Sequence, residues 1–140
     1  MKHIYLNLKR FDVPAELGGV NRIADIRTWG SYIVRETQEK LKAYAQKDVE
    51  FAMFFPEAHL FSALEAKTEG SPVQVGCQGV FRTDVQPGGN FGAFTTGRPA
   101  AAMKAAGCEA VIIGHCEERN NLNGILAEAG CKDTNAVNRI

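Results

Sequence analysis

The sequence predicts an α/β protein built on a parallel sheet. Short segments rich in β-branched and aromatic residues alternate with longer segments of helical periodicity, and four such βα units can be counted. With 140 residues, of which 45% are hydrophobic and 23% charged, the chain is long enough to bury a core as one globular domain.

The first two units are predicted from apolar periodicity. The first strand spans His3 to Leu8, and its helix spans Trp29 to Gln46, with one apolar face made of Ile33, Val34, Thr37, Leu41, Tyr44 and Ala45. The second strand, Val49 to Phe55, is stopped by Pro56. The following helix, Glu57 to Thr68, is expected to turn Leu60, Phe61 and Leu64 inward.

The last two units are shorter. Val73 to Cys77 is the third strand, and Pro99 opens an alanine-rich helix that ends at Gly107, a suitable C-cap. Val111 to Ile113 form the fourth strand. The tail from Asp133 to Ile140 begins like an amphipathic helix, with Asp133 or Thr134 as its cap.

Composition excludes several classes of partner. Sixteen basic and sixteen acidic residues cancel to a formal charge of zero, so no overall field attracts nucleic acid or a membrane surface. No segment is long enough to span a bilayer, and the amino terminus lacks the core of a signal peptide, so a cytoplasmic location is expected.

The four cysteines are expected to be free thiols, because they lack paired spacing and no export signal is apparent; they are Cys77, Cys108, Cys116 and Cys131. A zinc site made of His115, Cys116 and a distant cysteine is disfavoured, since adjacent residues rarely present both ligands to one metal.

Two long connections follow strands, at residues 10–28 and 79–98. Connections of this length are often functional or form interfaces. The second contains Phe91 and Phe94, whose rings require burial either against a partner or against their own domain.

Four motifs, each at the carboxyl end of a predicted strand or in the connection after it, resemble those of the triosephosphate isomerase family in order and spacing. They are NLK at Asn7 to Lys9, GCQG at Gly76 to Gly79, FGAFT at Phe91 to Thr95, and VIIGHCEER at Val111 to Arg119. The resemblance implies a (β/α)8 barrel of which this chain covers about the first four βα units. It also implies a glycolytic isomerase that interconverts glyceraldehyde 3-phosphate and dihydroxyacetone phosphate through an enediolate.

The resemblance further implies roles for individual residues, with no metal and no organic cofactor. His115 would be the electrophile, a neutral imidazole at a helix start that donates a hydrogen bond to the substrate carbonyl. Lys9 would bind substrate and offset negative charge, and Asn7, on the same strand face, would also bind substrate. Glu117 would support the site by holding the Lys9 ammonium.

The chain also departs from the family's pattern. Leu8, Cys116 and Glu118 stand where the family usually has tryptophan, serine and arginine, and both long connections are expanded. A tetrulose phosphate is therefore an alternative substrate to the triose phosphate. The connection from Gly79 to Phe94 corresponds to the family's dimer loop, so a homodimer is implied.

Residues 1–140 are expected to be the amino-terminal half of a single barrel domain, with the general-base glutamate outside them. Glu57 and Glu118 are available carboxylates, but neither matches the family's base, and both are predicted to be surface residues. The alternative interpretation is a non-catalytic half barrel that associates with itself.

Overall fold

A computed structural model describes residues 1–45, 48–89, 92–133 and 135–139 of the protein. Strands and helices alternate throughout, in the order β1 (Lys2–Asn7), α1 (Trp29–Ala45), β2 (Val49–Phe55), α2 (Glu57–Ala66), β3 (Val73–Cys77), α3 (Ala100–Ala105), β4 (Ala110–Val111) and α4 (Cys116–Glu128). Single 3-10 turns lie at Ala15–Leu17 and Val137–Arg139.

The four strands form one parallel sheet in the order β1-β2-β3-β4. Asn7 pairs with Phe54, and Phe55 pairs with Cys77, so the first three strands end at nearly the same level. This sheet with its helices is a half barrel, and it confirms the predicted α/β fold class. Because all four strands run the same way, the residues that follow them meet at one edge of the sheet.

The main core lies between the sheet and the first two helices. Its largest fully buried aliphatic members are Val34 from α1, Leu60 from α2, and Val73 and Val75 from β3. Gly30 lets the helices approach closely, because a Cβ at this position would lie 2.0 Å from the carbonyl oxygen of His59. Any larger residue would push the two helices apart.

An aromatic cluster attaches the long connection after β1 to this core. Trp29 is 1% exposed, its ring stacks on Phe11 at a centroid distance of 4.4 Å, and it also contacts Phe55 and His59. The buried His59 ring lies with Nδ1 3.0 Å from the carbonyl oxygen of Ile26, so Nδ1 carries the proton and donates. The connection is therefore packed against the domain.

Several predicted boundaries are wrong by one to three residues. β1 begins at Lys2 and ends at Asn7, α2 stops at Ala66 where the backbone turns extended at Lys67, and α3 occupies only Ala100–Ala105. The fourth strand is the edge of the sheet and pairs only over Ala110–Val111. Ile113, predicted within it, is 77% exposed.

Two predicted inward positions on the helices are wrong as well. Phe61 is 58% exposed, because the buried face of α2 is formed by His59, Leu60, Ala63 and Ala66. Tyr44 is exposed near the end of α1. Gln46, the predicted last residue of that helix, lies outside the described residues.

The end of the chain and the second long connection fold in different ways. Near the end of the chain, the backbone N–H of Asn135 donates to Asp133 at 3.0 Å, but only a 3-10 turn follows, with Val137 buried; Thr134 and Ile140 lie outside the described residues. In the connection, the half-buried Phe94 ring contacts Phe81 at 5.5 Å, so it packs on its own chain. Phe91 also lies outside the described residues.

All four cysteines are free thiols, as predicted. In the described part of the chain, no helix combines the length and the apolar character needed to cross a membrane.

The stacking of Phe11 on Trp29 gives a direct test of this packing. Trp29 is the only tryptophan, so its fluorescence reports on this cluster alone. Replacing Phe11 with alanine should admit water to the indole, shift its emission to longer wavelength and lower the free energy of unfolding by about 1–2 kcal/mol, less than a fully buried Phe→Ala change because Phe11 is half-buried.

Phe81→Ala is the matched control, because Phe81 contacts Phe94 in the other long connection and is not in the Trp29 cluster. An unchanged emission maximum in Phe11→Ala, or an equal shift in both variants, would show that residues 10–28 do not shield Trp29.

Candidate active site

A cavity of about 550 Å³ opens where the strands end. It is bordered by residues that end or follow the four strands: Asn7, Lys9, Arg10, Glu57, Gln78, Gly79, Val80, Arg98, Ile112, His115, Glu117, Glu118 and Asn121. The four residues singled out by the sequence, Asn7, Lys9, His115 and Glu117, all border this cavity. Parallel pairing explains their convergence, since they follow the two edge strands of one sheet.

His115 is the N-cap of α4, and its own backbone conformation is extended. The imidazole Nδ1 accepts a hydrogen bond of 3.2 Å from the backbone N–H of Glu117. A ring nitrogen that accepts cannot carry a proton, so the neutral ring has its proton on Nε2. His115 is thus a neutral donor through Nε2.

Lys9 and Glu117 border the same cavity without forming an ion pair. Both side chains are exposed, and the ion pairs among residues 1–45, 48–89, 92–133 and 135–139 do not include Lys9. The Lys9 ammonium therefore has no carboxylate partner in that part of the chain, and it is available to an anion in the cavity.

Gln78 is a site residue that the sequence analysis did not single out. Its side-chain Nε2 donates to the side-chain oxygen of Asn7 at 2.8 Å, to the carbonyl oxygen of Phe54 at 3.2 Å, and to the carbonyl oxygen of Leu8. One amide thus links the ends of β1, β2 and β3 and orients Asn7. The available signal was its place in the GCQG motif directly after β3.

Glu57, at the start of α2, forms an ionic cluster on the cavity wall. Its Oε2 accepts from Arg10 at 2.6 Å and its Oε1 from Arg98 at 2.7 Å, while Arg10 also donates to Asp12 at 2.7 Å. The prediction that Glu57 is only a surface residue is therefore incomplete. We call Arg10, Asp12, Glu57 and Arg98 the rim cluster; it joins the connection after β1, the helix after β2 and the connection after β3.

The rim cluster keeps Glu57 ionised. Partial burial alone would raise the pKa of this carboxyl, but its own backbone amide, the hydrogen bond from Arg10 and the charges of Arg98 and Arg10 outweigh burial. The net effect lowers the pKa of Glu57 below its ordinary value. Such a carboxylate is a weak base, since its anionic form is the one that the arginines stabilise.

The site offers little to a metal ion. Cys116 Sγ lies 3.9 Å from Nδ1 of His115, but the part of the chain that the structure describes contains no group of three or more histidine, cysteine or acidic side chains that could hold a metal.

Comparison with known proteins identifies one family. A family model described as triosephosphate isomerase matches residues 28–133, which include Glu57, Gln78, His115 and Glu117, whereas Asn7 and Lys9 precede the matched segment. No curated protein sequence matches the chain.

The lowered pKa of Glu57 predicts a pH-dependent contribution to stability. A carboxyl whose pKa is lower in the folded than in the unfolded chain stabilises the fold above its unfolded pKa, and this contribution is lost as the pH falls through the folded pKa. Glu57→Gln should therefore lower the free energy of unfolding at neutral pH by less than about 1 kcal/mol, because the side chain is half exposed. The difference from the parent chain should begin to shrink as the pH falls toward 4.5, the ordinary value, and should be lost as the pH falls through the lower pKa of the folded chain.

Urea denaturation followed by Trp29 fluorescence at several pH values measures this difference. Glu16→Gln is the control, since Glu16 is exposed and forms no ion pair within the described ranges. A difference for Glu57→Gln that stays constant down to pH 3, or that grows on acidification, would contradict the assigned ionic role.

Proposed function

Because the chain belongs to the triosephosphate isomerase family, we propose that it interconverts an aldose phosphate and a ketose phosphate through an enediolate. The observation that carries this proposal is the meeting of Asn7, Lys9 and His115 in one cavity, with Nδ1 of the histidine already occupied by a backbone N–H. Glyceraldehyde 3-phosphate and dihydroxyacetone phosphate are the substrates first considered, and a tetrulose phosphate is the alternative.

His115 acts as the electrophile in this proposal. Its Nε2–H donates a hydrogen bond to the substrate carbonyl oxygen while a base removes a proton from the adjacent carbon. The electron pair of the broken C–H bond forms the new C=C bond, and the carbonyl electrons move to oxygen to give the enediolate. A donor aimed at this oxygen stabilises the charge that develops there. The proton of the adjacent hydroxyl is then transferred to the enediolate oxygen, and return of the carbon-bound proton to the former carbonyl carbon lets the new carbonyl form and completes the isomerisation.

Lys9 supplies the positive charge that the substrate requires. Arg10 and Arg98 also border the cavity, but both are paired with Glu57. The ammonium of Lys9 can therefore interact with the phosphate and the enediolate at little cost in broken ion pairs. Asn7, oriented by Gln78, is assigned to substrate binding. Glu117 is assigned a supporting role through its backbone N–H, which donates to His115, because it forms no ion pair with Lys9.

The general base is assigned to a second half of the barrel. Glu57 is unsuitable, because each of its carboxylate oxygens accepts from an arginine and its pKa is lowered. Residues 1–140 are proposed as the amino-terminal half of one barrel domain, which the unpaired outer edges of β1 and β4 support. The homodimer through Gly79 to Phe94 stays a prediction.

A self-associating half barrel without catalysis is the second candidate. It is favoured by the exposure of Ile4, Tyr5 and Leu6 on β1 and of Ile113 after β4, at the two open sides of the sheet. These apolar groups require a covering layer, and a second copy would supply one.

The His115 assignment predicts the outcome of a single substitution. In a chain fused to the four carboxyl-terminal βα units of a family member, aldose to ketose conversion should fall by about 100-fold or more on His115→Gln, since a positioned proton donor contributes on that scale. The conversion is measured with both triose and tetrulose phosphates. His3→Gln is the control, because His3 bonds Glu50 and does not border the cavity.

Turnover that is unaffected by His115→Gln would refute the role of the histidine. The unfused 140-residue chain separates the two candidates. Dimers without turnover, together with a fusion that is also inactive, would favour the non-catalytic half barrel over the isomerase.

A further inference from the structure

Arg98 is anchored in the cavity wall at its backbone and at one nitrogen of its guanidinium. Its backbone carbonyl accepts from the N–H of Phe81 at 2.8 Å, its Nη1 donates to Glu57, and its Nη2 lies against Gly79, where a Cβ would be 3.6 Å away. The side chain is 35% exposed. A long side chain fixed in this way has already lost much of its rotamer freedom, so a ligand that binds it orders little more.

The rim cluster retains hydrogen-bonding capacity toward the cavity. Of the five N–H donors of the Arg98 guanidinium, one on Nη1 has a protein acceptor in the described ranges. The Glu57 carboxylate accepts one hydrogen bond from each arginine and one from its own backbone N–H, which leaves part of its acceptor capacity for a ligand. The cluster therefore offers donors and acceptors side by side.

The charge balance of the rim cluster indicates what kind of group it binds. Two arginines and two carboxylates sum to zero, so the cluster gives an anion little net attraction, in contrast to the unpaired Lys9. A hydroxyl, which donates once and accepts twice, fits a surface of mixed donors and acceptors. Sugar hydroxyls satisfy these requirements better than phosphate does.

The rim cluster also lies apart from the electrophile. Glu57 follows β2 and His115 follows β4, so two strand spacings, about 10 Å in total, separate the points where their backbones leave the sheet. A substrate whose carbonyl lies at His115 therefore contacts the rim cluster with a different part of the molecule.

We propose that Arg98, held by Glu57, is a specificity-determining residue that binds hydroxyls of the sugar, so that the site prefers phosphosugars with hydroxyls beyond the three-carbon body. This inference rests on the proposed function, because it assigns a polyol contact in the same cavity. It divides the two recognition tasks, with phosphate at Lys9 and hydroxyls at the rim cluster.

The test compares two probes that lack a carbonyl and therefore bind without reacting. Glycerol 3-phosphate and erythritol 4-phosphate differ by one CHOH unit, and their dissociation constants with the chain fused to the four carboxyl-terminal βα units of a family member are measured by calorimetry. The longer probe should bind more tightly. Arg98→Gln should weaken the binding of erythritol 4-phosphate by about tenfold, because the loss of hydrogen bonds to a charged group is of that size. It should weaken the binding of glycerol 3-phosphate by less than about twofold.

Three companion variants make the result specific. Arg98→Lys keeps the charge but lacks the second guanidinium nitrogen, so it should recover less than half of the lost preference in free-energy terms. Arg82→Gln is the control, since Arg82 is exposed in the same connection and does not border the cavity. Lys9→Gln should weaken the binding of both probes by the same factor. Circular dichroism and Trp29 fluorescence confirm that each variant is folded.

The role of Arg98 would be overturned if the two probes bound with equal affinity and Arg98→Gln had no selective effect. If Lys9→Gln then weakened the binding of both probes equally, the proposed function would still stand. No binding of either probe would overturn both. A selective loss in Arg98→Gln with an unchanged Arg82→Gln chain is the result that we expect.

Discussion

The hydrogen bonds of the Gln78 amide hold in place the strand ends that form the floor of the cavity. Three strands end at nearly the same level, and Gln78 adds side-chain hydrogen bonds to the backbone contacts between their ends. The Gln78 side chain donates to the carbonyl oxygens of Leu8 and Phe54 and to the side chain of Asn7. Because Lys9 follows Asn7 by two residues, the same contact also fixes the place from which the ammonium reaches into the cavity.

Two kinds of electrostatic group surround this floor. On one side, His115 is a neutral donor whose tautomer is set by the backbone N–H of Glu117. On the other, Glu57 and Asp12 together balance the charges of Arg10 and Arg98, so that among the cations bordering the cavity Lys9 has no carboxylate partner in the described ranges. Positive charge is thereby concentrated at one point of the cavity, while the rest of the wall is polar but neutral. Such a separation can distinguish a phosphate from a hydroxyl.

The sequence predicted the parts of the protein that depend on local pattern. Strand β2 and strand β3 were predicted with their observed bounds, since both are short, mainly apolar runs that are set off by neighbouring turn residues. Phe61 was misplaced because helical periodicity places it beside Leu60 without showing that the buried His59 takes the inner position. The convergence of Asn7 and His115 followed from parallel strands. The rim cluster joins Glu57 to arginines that lie 41 and 47 positions away in the chain, and contacts over such separations leave no local pattern in the sequence.

The main buried core of this half barrel is formed by residues from the first part of the chain. Every member of the main buried cluster, including Trp29, Phe55 and Leu60, lies between Leu8 and Cys77. During synthesis, the amino-terminal residues of a chain leave the ribosome first and can begin to fold while translation continues. The aromatic and aliphatic groups of this cluster therefore emerge together, before the residues of α4 have been added. Helix pairing and the first three strands can be established while the histidine of the site is still being translated.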